Sequence, residues 1–224
     1  MSAREAILGR VRASLHAPSN SDSRREVVAD RLEKAPKGII PERGQRDAEA
    51  RVALFSTIAK TLAATVETVA ERDDVPDAVA RYLRERNLAP SFRMGDDERL
   101  AAMPWSEQKS FEVKRGPTDG GDEVGVSHAF GGVAETGTIV MISGPENPST
   151  INFLPEHHII VVDAGDIDGA FETAIGRVRT KYGKGNMPRT LNFISGPSRS
   201  GDIEQKIILG AHGPRALHLI VVGG

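Results

Sequence analysis

Apolar residues near the amino terminus recur every four positions, at Ala3, Ile7, Val11 and Leu15. That spacing lines one face of an α-helix. Ser2 and Glu5 stand where a hydroxyl and a carboxylate can satisfy the first free backbone donors, so a capping box opens this helix, and Pro18 bounds it. Residues 26–46 read as a weak helix followed by an extended, proline-bounded segment, and 1–46 together form an N-terminal helical arm. From Asp47 the pattern strengthens. Ala48, Val52, Phe55, Ala59 and Leu62 form a helical stripe. Thr65 to Ala70 alternates and is rich in Val and Thr, which predicts a strand. Asp74-Val-Pro-Asp has the cap, early proline and first-turn acid of a helix start, and Val79 and Leu83 carry the buried face on towards Asn87.

Short strands are predicted at 91–94, 110–114, 124–129, 138–143, 158–163, 190–195 and 217–222. A helix is predicted from Asp166, with Ile167, Phe171, Ala174, Val178 and Tyr182 along one side. Thr138-Ile-Val-Met-Ile-Ser is apolar enough to be buried on both faces. His157 and His158 open the strand that follows, and alternation sends one inward and one outward. Helices interleaved with doubly buried strands imply an α/β domain over 47–224, a mostly parallel sheet flanked by helices.

Composition narrows the chemistry. The 224 residues include no cysteine, which excludes disulfides, thiolate nucleophiles and cysteine-ligated iron–sulfur clusters within the chain. The longest apolar runs, such as Ile159 to Val162, are strand-sized, and charges interrupt the apolar residues at the amino terminus. No stable membrane insertion and a cytoplasmic location are therefore expected. Residues 1–46 hold ten Lys/Arg against six Asp/Glu, whereas the rest of the chain is acidic on balance. The excess is small, interleaved with acids and without stacking aromatics, so it suits a solvated arm that docks on a partner better than nucleic acid.

Open α/β sheets bind ligands beyond the carboxyl ends of their strands, and three loops are candidates for that place. Phe130 to Thr138 brings Glu135, Thr136, Gly137 and Thr138 to the mouth of a buried strand, where Glu135 can serve as nucleophile or base. Ser195 to Glu204 follows a strand and is read as preceding a helical turn. Its exposed N–H groups, with Gly196, Ser198, Arg199 and Ser200, suit an anion, and Asp202 either joins them or caps the turn. Gly210 to Pro214 sets His212 and Gly213 in a tight turn before the last strand. The expectation is that Glu135, Asp202 and His212 meet around one polar hollow. Asn147 is a further candidate functional residue, in a turn that accounts for it well on its own. A metal site from His128, His157 and His212 lacks ligand spacing, and no metal is assigned. Ser200 stands where a nucleophile elbow needs its second glycine, which disfavours a serine hydrolase. The standard glycine signatures of dinucleotide and NTP sites are missing.

Val-Ala-Glu-Thr-Gly-Thr-Ile-Val at 133–140, Leu-Pro-Glu-His-His-Ile at 154–159, Ile-Ser-Gly-Pro-Ser-Arg-Ser-Gly-Asp-Ile-Glu at 194–204 and Gly-Ala-His-Gly-Pro at 210–214 stand in one order along the chain. This sequence resembles the LutC/YkgG family, lactate utilization protein C, built on the LUD domain. The resemblance implies a fold like the NagB/RpiA/CoA transferase-like superfamily. It also implies a non-redox part in oxidising L-lactate to pyruvate beside iron–sulfur partner proteins, with a small carboxylate or anion as ligand. By position it points to Glu135, Thr136, Gly137, Thr138, Ser198, Arg199, Asp202, His212 and Gly213, with roles unassigned. An alternative is CoA or acyl transfer, in which the Glu135 carboxylate attacks a thioester.

Overall fold

The capping box forms as its residues dictate: the Ser2 N–H donates to Glu5 Oε2 at 2.6 Å and the Glu5 N–H to Ser2 Oγ at 3.2 Å. These bonds start α1 (Ala3–Ser14), and α2 (Asp22–Lys34) follows. This computed structural model describes residues 2–15, 22–203 and 206–224, with backbone alone at 202, 203, 206 and 207. The two helices belong to a unit that runs to Ile39, and a second unit runs from Ile40 to Gly224. No residue of α1 or α2 is buried. Among the described residues, no helix is long and apolar enough to cross a membrane.

The second unit opens with α3 (Ala48–Thr61), β1 (Thr65–Val69), α4 (Val75–Glu85), β2 (Ser91–Met94), α5 (Glu98–Ala101), β3 (Glu112–Arg115) and β4 (Val124–His128). It continues with β5 (Gly131–Val133), β6 (Thr138–Ile142), β7 (His157–Asp163), β8 (Ile167–Asp168), α6 (Phe171–Tyr182) and β9 (Leu191–Ile194). A hairpin of β10 (Arg199–Ile203) and β11 (Lys206–Leu209) precedes the last strand, β12 (Ala216–Val222). Six strands form one sheet in the order β1-β12-β7-β4-β2-β3. Every pairing in it is parallel, as the interleaved helices predict.

Alternation along β7 divides the core. Ile159 and Val161 face a layer with α4, where Val79, Leu83, Phe92 and Trp105 pack. Ile160 and Val162 face the other side, with Phe55 and Ala59 of α3 and with Ile139 and Met141 of β6. The sheet is thus apolar on both faces, the usual condition of parallel sheets.

Three expectations need correction. The strand at 138–142 is buried on both faces, but it belongs to a second, four-stranded sheet, β8-β5-β6-β9, and pairs antiparallel with β5 and β9. One face of that sheet meets the parallel sheet through Ile139 and Met141, while Val133 and Val140 on the other meet Ala174 of α6. The second correction concerns the helix expected from Asp166, which starts at Phe171. Ile167 fitted a helical stripe because it is buried, yet its burial comes from β8 pairing with β5. The third is that both histidines opening β7 face packed layers: His157 meets Tyr82 on one side and His158 is buried on the other.

Candidate functional site

The loop at Ser195 does not enter a helical turn. It passes into β10, and its backbone is already committed, since the Ser198 N–H donates to Pro214 O at 2.8 Å and the Gly210 N–H to Ser198 O at 3.0 Å. An anion nest needs unclaimed donors, so at Ser198 that reason for anion binding falls away. Gly196 has φ +81°, and a Cβ there would lie 2.3 Å from Leu62 O. Its glycine identity therefore serves close packing on the end of α3. Arg199 reaches the same carbonyl, 2.7 Å from its guanidinium, and Ser200 pairs with Ile208 across the hairpin.

Gly196, Ser198, Arg199, His212 and Gly213 do come together, around a hollow of about 310 Å³. The hollow lies at the amino ends of β7 and β12, between His158 and Leu217, and not at their carboxyl ends. Glu135 is not among the residues lining it. Its carboxylate is buried and accepts the Phe171 N–H at 3.0 Å, so it caps α6, whose N-cap residue Ala170 offers no side-chain oxygen. Helix termini need such partners. Thr136, Thr138 and Ser195 form a hydroxyl chain with spacings of 2.8 and 2.7 Å, which is the link between the 130–138 loop and the hollow. Gly137, at φ +61°, lets that turn lie against Ala59 of α3. The Asp202 side chain lies outside the described residues.

The carboxyl ends of the parallel strands hold a different constellation. From β2 the chain moves outward to β3, while from β4 it moves the opposite way to β7. The gap between β2 and β4 is therefore a topological switch point, where open α/β sheets form their binding crevice. A cavity of about 400 Å³ sits there, lined by Asp97 and Arg99 after β2, His128 at the end of β4, Asn147, and Lys181 and Arg189 from α6 and beyond.

Asp97 starts α5 by accepting the Arg99 N–H, and it grips the Arg99 guanidinium at 2.8 and 3.0 Å. Burial alone would raise the Asp97 pKa, but the Arg99 hydrogen bond and charge hold it below the usual carboxylate range. Arg177 bridges Asp166 and Asp168 at 2.6 and 3.1 Å and lies over the Phe130 ring, with the Lys181 ammonium 5.5 Å from the same ring. Asp163, at the end of β7, is held by Arg72 through two bonds of 2.8 and 3.1 Å.

His128 is fully buried beside these groups. Its Nδ1 lies 2.9 Å from Ala129 O. A carbonyl can only accept, so Nδ1 carries the proton and the neutral ring keeps a lone pair on Nε2. Nε2 has no hydrogen-bond partner; Asp163 Oδ2 at 3.5 Å is too distant for one. Burial, followed by the charge of Arg99, lowers the His128 pKa and favours this neutral form. Asn147, whose turn is a sufficient reason for it in the sequence, donates to His128 O at 3.1 Å and fixes the end of β4. The crevice thus carries the cations Arg99, Lys181 and Arg189 beside the carboxylates of Asp97 and Glu146, with the neutral His128 ring buried at its wall.

These residues escaped the sequence reading because they are single charged or imidazole side chains far apart in the chain. The usable signal was position: Asp97 and His128 stand at or just beyond the ends of two strands that were correctly predicted. His128 and His157 are far apart, since His128 ends β4 whereas His157 pairs with its first residue, Val124. Among the described residues, no group of three or more His, Cys, Asp or Glu is placed to hold a metal ion.

Comparison with known proteins places this architecture. Residues 43–222 match the family model of the LUD domain. The chain is 33% identical over 100 residues to lactate utilization protein C of Shouchella clausii strain KSM-K16, covering 45% of this chain and 44% of that protein. It is 34% identical over 128 residues to lactate utilization protein C of Geobacillus thermodenitrificans strain NG80-2, covering 56% and 52%. The matched stretch thus spans about half the length of these curated relatives. A crystal structure of a DUF162 family protein from Deinococcus radiodurans superposes with a TM-score of 0.62 at 22% identity, over 80% of this chain and 99% of that one, and so shares the fold. With the parallel sheet, the flanking helices and the family match in agreement, the chain belongs to the LUD-domain family, in company with the proteins named lactate utilization protein C.

Proposed function

We propose that this chain is the non-redox component of a system that oxidises L-lactate to pyruvate, working with iron–sulfur partner proteins and holding the small carboxylate in the switch-point crevice. The relatives' name, lactate utilization protein C, supports a role in lactate utilization. The observation that carries the ligand is the gathering of Arg99, Lys181 and Arg189 around one cavity at the switch point. Arg99, Lys181 and Arg189 suit a carboxylate, for which guanidinium and ammonium donors give charge-assisted hydrogen bonds. With no cysteine in the chain, electron carriage falls to the partners.

Acyl transfer through Glu135 has less support. A nucleophilic carboxylate must reach its thioester, whereas the Glu135 carboxylate is buried with one oxygen engaged as a helix cap.

Affinity capture of the tagged full chain from cells of the source organism grown on lactate tests the pathway. Iron–sulfur proteins are expected in the captured material, and deletion of the gene is expected to abolish growth on lactate. Capture without any iron–sulfur protein, together with normal lactate growth in the deletion strain, rejects the proposal.

A further inference from the structure

No residue of α1 or α2 is buried, yet both helices carry large apolar side chains. Ile7, Leu8, Val11 and Leu15 are exposed along α1, and Val28 and Leu32 along α2. A single exposed aliphatic residue needs no explanation. A stripe at i, i+4 on each of two neighbouring helices is the pattern that normally meets a partner. Charge follows the stripes. At 3.6 residues per turn, Arg24, Arg25 and Arg31 lie within roughly 80° of the Val28–Leu32 line, whereas Asp22, Glu26, Asp30 and Glu33 lie about 100° or more from it. Lys34 pairs with Asp30 at 2.6 Å on the far side. On α1, Arg4 falls inside the stripe and Arg12 borders it, while the one acid, Glu5, is engaged by the Ser2 N–H in the capping box.

The occupant of such faces must be anionic and must take aliphatic side chains without deep pockets. Residues 1–46 contain no Phe, Tyr or Trp, and the centres of protein interfaces depend on large anchors of that kind. A bilayer surface asks less. Aliphatic groups need only reach the acyl boundary while the guanidinium groups stay at the headgroups. Guanidinium also matches phosphate through paired, charge-assisted hydrogen bonds. The chain as a whole carries a formal charge of −2 at pH 7, so attraction to an anionic surface has to come from the basic arm.

We propose that α1 and α2 form a peripheral docking element for an anionic phospholipid surface. The two apolar stripes lie at the acyl boundary and the flanking arginines pair with lipid phosphates, with no helix crossing the bilayer. This role is independent of the crevice and of the carboxylate assigned there.

Sedimentation of the full-length protein with lipid vesicles tests it. Vesicles of equal parts phosphatidylglycerol and phosphatidylcholine are expected to bind the protein saturably, and vesicles of phosphatidylcholine alone at least tenfold more weakly. Salt at about 0.5 M is expected to weaken the binding, because it screens exposed charges. Val11→Glu/Leu32→Glu, at two exposed positions, and Arg24→Gln/Arg25→Gln/Arg31→Gln are each expected to lower the affinity at least tenfold. Arginine and glutamine have similar helix preference, so the second variant decides the matter should the first disturb the helices. An unchanged melting temperature shows that the second unit is intact in each. No saturable binding to the anionic vesicles overturns the proposal, as does equal binding to phosphatidylcholine alone or undiminished binding of the arginine variant. Tighter binding to poly-L-glutamate than to the anionic vesicles assigns the arm to an acidic protein and overturns it as well.

Discussion

Lowering the pH from 6.5 to 4.5 is expected to remove most of the stability of the second unit. His158 and His218 sit on opposite faces of neighbouring strands, both deeply buried. Burial lowers the His158 pKa to about 3. Burial, with a lesser effect from Arg86, lowers His218 to about 4. His218 stacks on Tyr82 with centroids 4.4 Å apart, and its Nδ1 meets Thr65 Oγ1 at 2.8 Å, leaving no room for a hydration shell. In the unfolded chain both histidines return to a pKa of about 6.5.

The folded values lie below the unfolded ones, so the unfolded chain binds more protons throughout the interval. The neutral histidines' contribution is complete above pH ~6.5 and declines as the pH falls. It is exhausted for His218 near pH 4 and for His158 near pH 3. Each histidine contributes a slope of about 1.4 kcal/mol per pH unit, so the pair loses on the order of 5 kcal/mol by pH ~4.5. That is comparable with the whole stability of many domains. Asp97 and Asp122, whose pKa values are lowered, lose their stabilisation only below the ordinary carboxylate range, so their effect falls at lower pH. Urea denaturation at a series of pH values measures the slope. A flat stability between pH 6.5 and 4.5 contradicts the assignment of these two buried neutral rings.

Phe55→Ala is expected to destabilise the second unit by roughly 3–5 kcal/mol. Phe55 has no exposed surface and lies at the meeting of α3, the parallel sheet and the antiparallel sheet. Its ring edge lies 3.1 Å from the point where a Cβ on Gly132 would be, so the ring occupies space that β5 leaves by carrying glycine. The backbone on both sides is fixed in sheets, so the void cannot close. For a domain of this size that loss lowers the melting temperature by roughly 6–20 °C. A shift below 3 °C by calorimetry contradicts this packing.

Phe55 also shows what was legible in the sequence. Its place in a helical stripe with Val52 and Ala59 was readable because a helix half-buried on one layer repeats its apolar residues at 3.6 intervals. The doubly buried strand at 138–142 was readable too, but not the sheet to which it belongs, since an apolar run looks the same in either. The hairpin of Arg199–Leu209 was hidden because its first strand is polar and glycine-bearing, without the alternation that marks a half-buried strand.

The candidate site was the least legible part. Glycine-rich loops attracted attention at 131–137 and 195–201, yet Gly137 and Gly196 lack side chains to admit α3 and its final carbonyl. Glu135 looked like a nucleophile because a carboxylate beside glycines resembles an active turn, whereas its contact is the first N–H of α6. Asp97, Arg99, His128 and Lys181 become a group only through the strand order β4-β2, and strand order depends on contacts across the whole sheet.

Whether the switch-point crevice takes the carboxylate is decided most directly by calorimetric titration of L-lactate and of pyruvate into the protein and into Lys181→Ala/Arg189→Ala. Both replaced side chains are exposed, so the variant retains the fold. Saturable binding to the unaltered protein, weakened at least tenfold in the variant, is the expected result. Heats that match dilution for both acids, or an affinity that the double substitution leaves untouched, would contradict the assignment.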